Sequence, residues 1–190
     1  MAKKEAKKRL IIVHGWEGSP QEGWYPWIAA EMVRKGWSVQ VPAMPNAAQP
    51  EQSRWVPHLV DIGGKVDRNT FFVGHSLGCI TILRFLERLK SQEKIGGVIL
   101  VAGFDKPLKY KELKNFFQES IAWNRIKKNC KKFVTIHSED DPYVPVENGL
   151  RLEKNLDTKR IVVNGLKHFS GDDGVARLPL VLQELLEISK

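Results

Sequence analysis

Six short segments rich in Val, Ile, Leu or Phe recur along the chain at regular intervals. They lie at residues 10–13, 38–41, 70–73, 97–101, 133–137 and 160–163. Short apolar runs of this kind, bounded by turn residues, are typical of strands that are buried on both faces of a parallel sheet. The pattern therefore predicts six strands.

Segments with helical spacing or many good helix formers separate these strands. They cover residues 24–35, 52–63, 77–90, 110–128, 146–155 and 175–189, and glycine or proline stands at most of the joints. Repeated β–α units predict a parallel sheet with helices on both faces and right-handed crossovers. We therefore expect an α/β fold, a three-layer sandwich around a six-stranded parallel sheet.

Length and charge restrict the classes of protein that fit this pattern. The 190 residues predict a single domain over residues 10–190, preceded by a basic flexible tail over residues 1–9. No run reaches the roughly 18 apolar residues of a membrane span, and the first apolar run is too short for a signal peptide. We expect a cytoplasmic protein without membrane contact. The net charge of +8 lies in lysine-rich segments typical of solvated faces, so nucleic acid is not expected as a partner.

A serine flanked by glycines stands between the third predicted strand and the next helix, in the sequence Gly74-His75-Ser76-Leu77-Gly78. A serine on so sharp a turn adopts strained backbone geometry, and the glycines avoid clashes with the strand and the helix. A G-x-S-x-G at such a junction resembles the nucleophile elbow of the α/β-hydrolases, which exposes the hydroxyl at the edge of the sheet. The pattern predicts Ser76 as a nucleophile.

Two later loops carry the partners that a nucleophilic serine needs. Asp140 and Asp141 follow the fifth predicted strand, and His168 follows the sixth. Ligands bind at the carboxyl ends of parallel strands, and the order serine, acid, histidine is that of the α/β-hydrolases. We predict His168 as the general base and an aspartate near residue 140 as the acid that orients it. The position of the loop alone leaves the choice between the two aspartates open.

The loop after the first strand is expected to complete the site. Backbone N–H groups of Leu77 and Trp16 are the predicted oxyanion hole, which would stabilise a developing alkoxide. His75 is expected to point away from the reaction. The two cysteines of the chain, Cys79 and Cys130, lack metal-ligand spacing, so no metal is expected.

Further motifs extend over nearly the whole chain, about residues 10–186. They are residues 14–20 (HGWEGSP), 24–27 (WYPW), 44–45 (MP) and 55–57 (WVP). With the elbow and the acid and histidine loops, they resemble the retinoblastoma-binding protein 9 and YdeN family of small serine hydrolases, a minimal branch of the α/β-hydrolases without a large lid domain.

The resemblance implies a role for each predicted site residue. Ser76 matches the family nucleophile and His168 the base, and the Asp-x-x-Val-Pro pattern that begins at Asp141 matches the triad acid. Hydrolysis of carboxyl esters through an acyl-enzyme, without metal or organic cofactor, is the activity it implies.

The substrate pocket is predicted from residues near the carboxyl edge of the sheet. His14, Gly15, Trp55 and Phe169 are the candidate substrate-binding residues, with a structural role under the loop as the alternative for His14. The aromatic residues within 104–132 form either a short flap over the pocket or a face packed on the sheet. Because this interval is short, we expect a small acyl substrate.

Two alternatives to ester hydrolysis remain open from the sequence. The first is a module that binds an unidentified protein partner on a hydrolase scaffold, since a fold does not dictate function. The second is hydrolysis of thioesters or amides, which the same catalytic groups can perform.

Overall fold

The structure, a computed structural model, describes residues 7–190. Residues 1–6 of the predicted tail lie outside the described residues. The first strand already begins at Arg9, and the Lys8 Nζ donates a hydrogen bond to the carbonyl oxygen of Ser189 at 2.8 Å. The domain therefore includes the last two residues that the sequence assigned to the tail.

Six strands form one parallel sheet, as predicted. In chain order they are β1 (Arg9–Val13), β2 (Ser38–Gln40), β3 (Thr70–His75), β4 (Gly97–Val101), β5 (Phe133–Ser138) and β6 (Lys159–Val163). Their order across the sheet is β2-β1-β3-β4-β5-β6, and every neighbouring pair is parallel. The central strand β3 is buried at all of its positions, which explains its continuous apolar sequence.

Helices cover both faces of this sheet. Within residues 7–190 the α-helices are α1 (Tyr25–Arg34), α2 (Gln52–Gly63), α3 (Leu77–Arg88), α4 (Trp123–Asn129), α5 (Glu147–Leu156) and α6 (Pro179–Ile188). α1 and α6 pack on one face, and α2 to α5 on the other. Alternate residues of each central strand enter the two cores, for example Phe72 on one side and Val73 on the other. No helix in this part of the chain is long and apolar enough to span a membrane.

The predicted helix over residues 110–128 is wrong as a single element. The structure has a 3₁₀ helix (Lys111–Phe117), an irregular connection over residues 118–122, and then α4. The buried guanidinium group of Arg84 in α3 donates hydrogen bonds to the carbonyl oxygens of Phe116, Glu119 and Ser120. Phe116 belongs to the wall segment, which we define as residues 110–117. Through the carbonyl group of Phe116 this segment is attached to the helix that follows Ser76.

We expect the substitution Arg84→Met to lower the free energy of unfolding by about 3 kcal/mol, because it leaves the buried carbonyl group of Phe116 without its donor and removes the ion pair with Glu87. Arg88→Met, one helical turn further on and exposed, is the matched control and should change stability by less than about 0.5 kcal/mol. Urea unfolding of both variants measures the difference. Equal stability of the two variants would show that the wall segment does not depend on Arg84.

Candidate active site

Ser76 lies in a strained turn between β3 and α3. Its backbone has φ 52° and ψ −117°, and its amide donates to the carbonyl oxygen of Val101 in β4 at 2.9 Å. A non-glycine residue in this region is strained and persists only where the surroundings hold it. The hydrogen bond to β4 is one of the contacts that hold this turn.

Gly74 and Gly78 are required by close approaches of the backbone. A Cβ atom on Gly74 would lie 2.9 Å from the backbone of Cys79 in α3. A Cβ atom on Gly78 would lie 2.1 Å from the carbonyl oxygen of Val13 in β1. The first glycine makes room for the helix, as expected from the sequence, whereas the second makes room for the neighbouring strand.

The side chains of Ser76, His168 and Asp141 form a continuous chain of hydrogen bonds. The His168 Nε2 lies 3.0 Å from the Ser76 Oγ, and the His168 Nδ1 lies 2.8 Å from the Asp141 Oδ2. Because a carboxylate can only accept, the Nδ1 carries the proton and the Nε2 is free to accept the hydroxyl proton. This is the geometry that nucleophilic attack by a serine requires.

Asp141 rather than Asp140 therefore faces His168. The Asp141 side chain is 1% exposed, and its second oxygen accepts hydrogen bonds from the amides of Tyr143 and Val144 at 2.8 and 2.9 Å. These bonds fix the carboxylate so that the oxygen facing His168 has one orientation.

Asp140 holds the loop that carries His168. Its Oδ1 accepts hydrogen bonds from the amides of Gly165 and Lys167 at 3.0 and 3.2 Å. The bond from the Ser138 hydroxyl, followed by these amides, lowers the pKa of Asp140 below its ordinary value. The two adjacent aspartates thus have different partners, one the imidazole ring and the other the backbone of its loop.

One predicted oxyanion donor, Leu77, follows Ser76 in the chain, and the loop that carries the other, Trp16, passes close to the serine. Leu77 is the first residue of α3, so its amide has no acceptor within the helix. The loop after β1 passes over the serine, since a Cβ atom on Gly15 would lie 3.2 Å from the Ser76 Cβ. Trp16 follows directly. The assignment of these two amides as oxyanion donors stays a prediction.

A cleft of about 510 Å³ opens over Ser76 and His168. Gly15 and Trp16 line it, as expected from the sequence. The wall segment contributes Tyr110 and Leu113, whereas Phe116 of the same segment is fully buried in the core. Part of this segment therefore lines the pocket, as the flap interpretation predicted, and part of it packs in the core, as the alternative predicted.

Three predicted pocket residues do not line the cleft. His14, Trp55 and Phe169 are 1%, 0% and 0% exposed. His14 donates from Nδ1 to the carbonyl oxygen of Gly15 and accepts at Nε2 from the amide of Met44, so its structural alternative is the one observed. All three predictions were wrong because a position near the carboxyl edge of the sheet does not show whether a side chain faces the cleft or is buried behind the residues that line it.

Sequence reasoning also missed several residues of the cleft. They are Glu17, Gly18, Glu22, Tyr25, His75, Leu108, Tyr143, Val144, Ser170, Asp172 and Asp173. Tyr143 and Val144 follow Asp141 so closely that the acid motif could have indicated them. Among residues 7–190, no group of three or more His, Cys, Asp and Glu side chains is arranged to hold a metal ion.

Comparison with known proteins agrees with this architecture. The crystal structure of the ydeN gene product of Bacillus subtilis superposes with a TM-score of 0.92 at 34% identity, covering 96% of this chain and 98% of that one. Est1E from Butyrivibrio proteoclasticus with bound ferulic acid has a TM-score of 0.70 at 15% identity, covering 98% and 93%. The sheet order, the elbow and these matches define an α/β-hydrolase fold, and no large lid interrupts it in the described residues.

Sequence comparison identifies the family within this fold. The serine hydrolase family matches residues 10–187. YdeN of Bacillus subtilis is 35% identical over 179 residues, which cover 94% of each chain, and serine hydrolase RBBP9 of Rattus norvegicus is 25% identical over 170 residues, covering 87% of this chain and 89% of the relative. The chain belongs to the serine hydrolase family that contains YdeN and RBBP9, and the expected family is confirmed.

Three histidines, His14, His75 and His137, are buried in the fold. Burial lowers the pKa of His14 and of His137, and burial together with the neighbouring His168 lowers the pKa of His75 to about 3. Each of these rings forms its hydrogen bonds as a neutral imidazole. In the unfolded chain a histidine has a pKa of about 6.5, so the unfolded state binds more protons below that pH.

We therefore expect the free energy of unfolding to be fully present above about pH 6.5 and to fall as the pH is lowered from there toward about 3, the pKa of His75, by up to about 1.4 kcal/mol per pH unit for that ring, with His14 and His137 contributing in the same direction. Urea unfolding at pH 7, 6 and 5 measures the slope. The substitution His137→Gln should reduce this slope by the contribution of one buried histidine. A stability that does not change between pH 7 and 5 would contradict the assignment of neutral buried rings.

Proposed function

We propose that this serine hydrolase is an esterase that cleaves small acyl esters through an acyl-enzyme on Ser76. The single observation that carries the proposal is the hydrogen-bonded chain from the Ser76 hydroxyl through His168 to the buried Asp141, at 3.0 and 2.8 Å. The proposal also assigns His168 as general base, Asp141 as the orienting acid, and the amides of Leu77 and Trp16 as the oxyanion hole.

The proposed reaction has two halves. The His168 Nε2 takes the proton of Ser76 as its Oγ attacks the ester carbonyl, and the imidazolium then returns that proton to the departing alcohol. In the second half, water gives a proton to His168 and attacks the acyl group, and the carboxylic acid leaves as Ser76 is protonated again. Each oxyanion donor is expected to contribute about 2.7–4 kcal/mol to stabilising the tetrahedral intermediate.

The size of the cleft supports a small substrate. Its volume of about 510 Å³ lies in the lower half of the range for small-molecule sites, roughly 300–1,000 Å³. Tyr110 and Leu113 of the wall segment provide apolar contacts beside the nucleophile. A short acyl group fits this volume better than a long chain.

We expect Ser76→Ala to lower kcat/KM for p-nitrophenyl acetate by more than about 1,000-fold, because the hydroxyl that forms the covalent bond is absent. A fluorophosphonate probe should label the wild type and not this variant. Ser53→Ala, on the exposed side of α2, is the control and should behave like the wild type. A wild type that neither reacts with the probe nor hydrolyses the ester, or an active Ser76→Ala variant, would refute the proposal.

The charge of the cleft differs from that of the whole chain. Four carboxylate side chains line the cleft, and its described lining includes no Lys or Arg, although the net charge of the chain is +8. Asp173 accepts hydrogen bonds from the amide of His168 and the hydroxyl of Ser170, whereas Glu17 and Asp172 are exposed at the rim. A negatively charged substrate would meet like charge at this entrance.

We expect the cleft to favour a neutral ester over an anionic one of similar length. At low salt, kcat/KM for p-nitrophenyl hemisuccinate should be about tenfold below that for p-nitrophenyl methyl succinate, and the difference should shrink as salt screens the carboxylates. Glu17→Gln combined with Asp172→Asn should narrow the difference, and Glu187→Gln, exposed at the far end of α6, should leave it unchanged. Equal rates for both esters at low salt would exclude this selectivity.

A further inference from the structure

His75 links the nucleophile to the base, although sequence analysis gave it no chemical role. It precedes Ser76 at the end of β3 and is 4% exposed. Its Nε2 lies 2.7 Å from the carbonyl oxygen of His168, and its Nδ1 lies 2.6 Å from the hydroxyl of Tyr25. The residue next to the nucleophile in sequence therefore contacts the backbone of the base.

The direction of each hydrogen bond follows from the chemistry of the partners. A carbonyl oxygen only accepts, so the His75 Nε2 carries a proton and donates it to His168. The Nδ1 of a neutral ring then accepts from the Tyr25 hydroxyl, which selects this tautomer. Burial lowers the pKa of His75 to about 3 and raises the pKa of the 2%-exposed Tyr25, so both groups keep these roles near pH 7.

The backbone around His168 needs such support because it is strained. Lys167 and Phe169, on either side of it, have φ values of 45° and 57°. A non-glycine residue in this region is held only when several contacts determine its conformation together. Here the amide of His168 donates to Asp173 at 3.1 Å, and the carbonyl oxygen of Phe169 accepts from the Trp24 Nε1 at 3.0 Å.

Every polar group of His168 is thus engaged with the protein. Asp173 accepts from its amide, Asp141 and Ser76 contact its ring, and His75 donates to its carbonyl oxygen. The contact comes from His75, the last residue of β3, which directly precedes Ser76. It is therefore the contact that joins the backbone of the base directly to the strand of the nucleophile.

We propose that His75, oriented by Tyr25, is a positioning residue that fixes the backbone of His168 and thereby the distance between the base and Ser76. The inference rests on the proposed function, since it concerns the alignment of the same two groups. Loss of this bond frees the peptide group after His168 to rotate and displaces the ring. A misplacement of about 1 Å costs about 100-fold in rate.

The neutral ring of His75 is also compatible with the positive charge that His168 acquires during the reaction. The ring centres of His75 and His168 are 4.9 Å apart. When His168 takes the proton of Ser76, a second imidazolium at this distance would oppose its charge. The hydrogen bonds to Tyr25 and to the carbonyl oxygen give His75 the role of a donor without a positive charge.

The test compares variants of two buried histidines, His75 and His137, each of which forms hydrogen bonds through both ring nitrogens. We expect His75→Phe to lower kcat for p-nitrophenyl acetate by about 100-fold with KM close to that of the wild type. His75→Gln, whose side-chain amide can still donate to the carbonyl oxygen, should recover most of this loss. Tyr25→Phe keeps the imidazole but removes the group that selects its tautomer, so its kcat should lie between those of the wild type and His75→Phe.

His137 provides the matched control. It is 1% exposed, donates from Nε2 to the carbonyl oxygen of Gly103 at 2.8 Å, and accepts at Nδ1 from the Thr135 hydroxyl at 3.0 Å. His137→Phe therefore removes the same pair of bonds in the core without touching His168, and it should lower stability in urea while keeping kcat. If His137→Phe lost as much kcat as His75→Phe, or if His75→Gln did not recover kcat, the role of His75 would be structural only.

Nitrogen NMR of the imidazole rings keeps this inference separate from the proposed function. A wild type without ester turnover would refute the esterase, and the position of the His75 proton would still be measurable. We expect a ring protonated on Nε2 alone from pH 8 to pH 5 in the wild type, and a mixture of tautomers in Tyr25→Phe. A ring of His75 protonated on both nitrogens at pH 6, or a wild-type kcat in folded Tyr25→Phe and His75→Phe, would overturn it.

Discussion

The close approach of α3 to β1 is the constraint on which the rest of the site depends. Only a residue without a side chain fits at Gly78, where a Cβ atom would lie 2.1 Å from the carbonyl oxygen of Val13. Because the helix starts this close to the neighbouring strand, the turn before it is too tight for relaxed backbone geometry, and Ser76 takes a positive φ. The same approach brings the start of α3 beside the loop after β1, where Gly15 lies close to Ser76.

Around this fixed point, the other parts of the site are held by polar contacts. Asp141 accepts hydrogen bonds from two backbone amides and contacts the ring of His168. Asp140 accepts a hydrogen bond from the amide of Gly165, in the loop that carries His168. The loops after β3, β5 and β6 are thus connected to one another, which is why three residues far apart in the chain can be aligned to within hydrogen-bonding distance.

Much of this arrangement could be predicted from the sequence because it depends on local patterns. The apolar runs predicted the strands, and the glycine spacing and strand ends indicated Ser76 and His168. Long-range packing accounts for what was missed. The buried Arg84 interrupts the predicted helix over residues 110–128, and nothing near residue 116 signals an acceptor for a distant guanidinium. The burial of Trp55 in α2 and the contact of His75 with His168 also depend on how distant segments pack together. The periodicity of apolar residues carries no information on such packing.

The attachment of the wall segment to Arg84 has a consequence for altering the enzyme. The wall segment and Ser76 are both connected to α3. This helix begins directly after Ser76 and carries Arg84, which binds the wall segment, two turns later. A substitution that reshapes the wall would therefore be transmitted to the elbow through the helix.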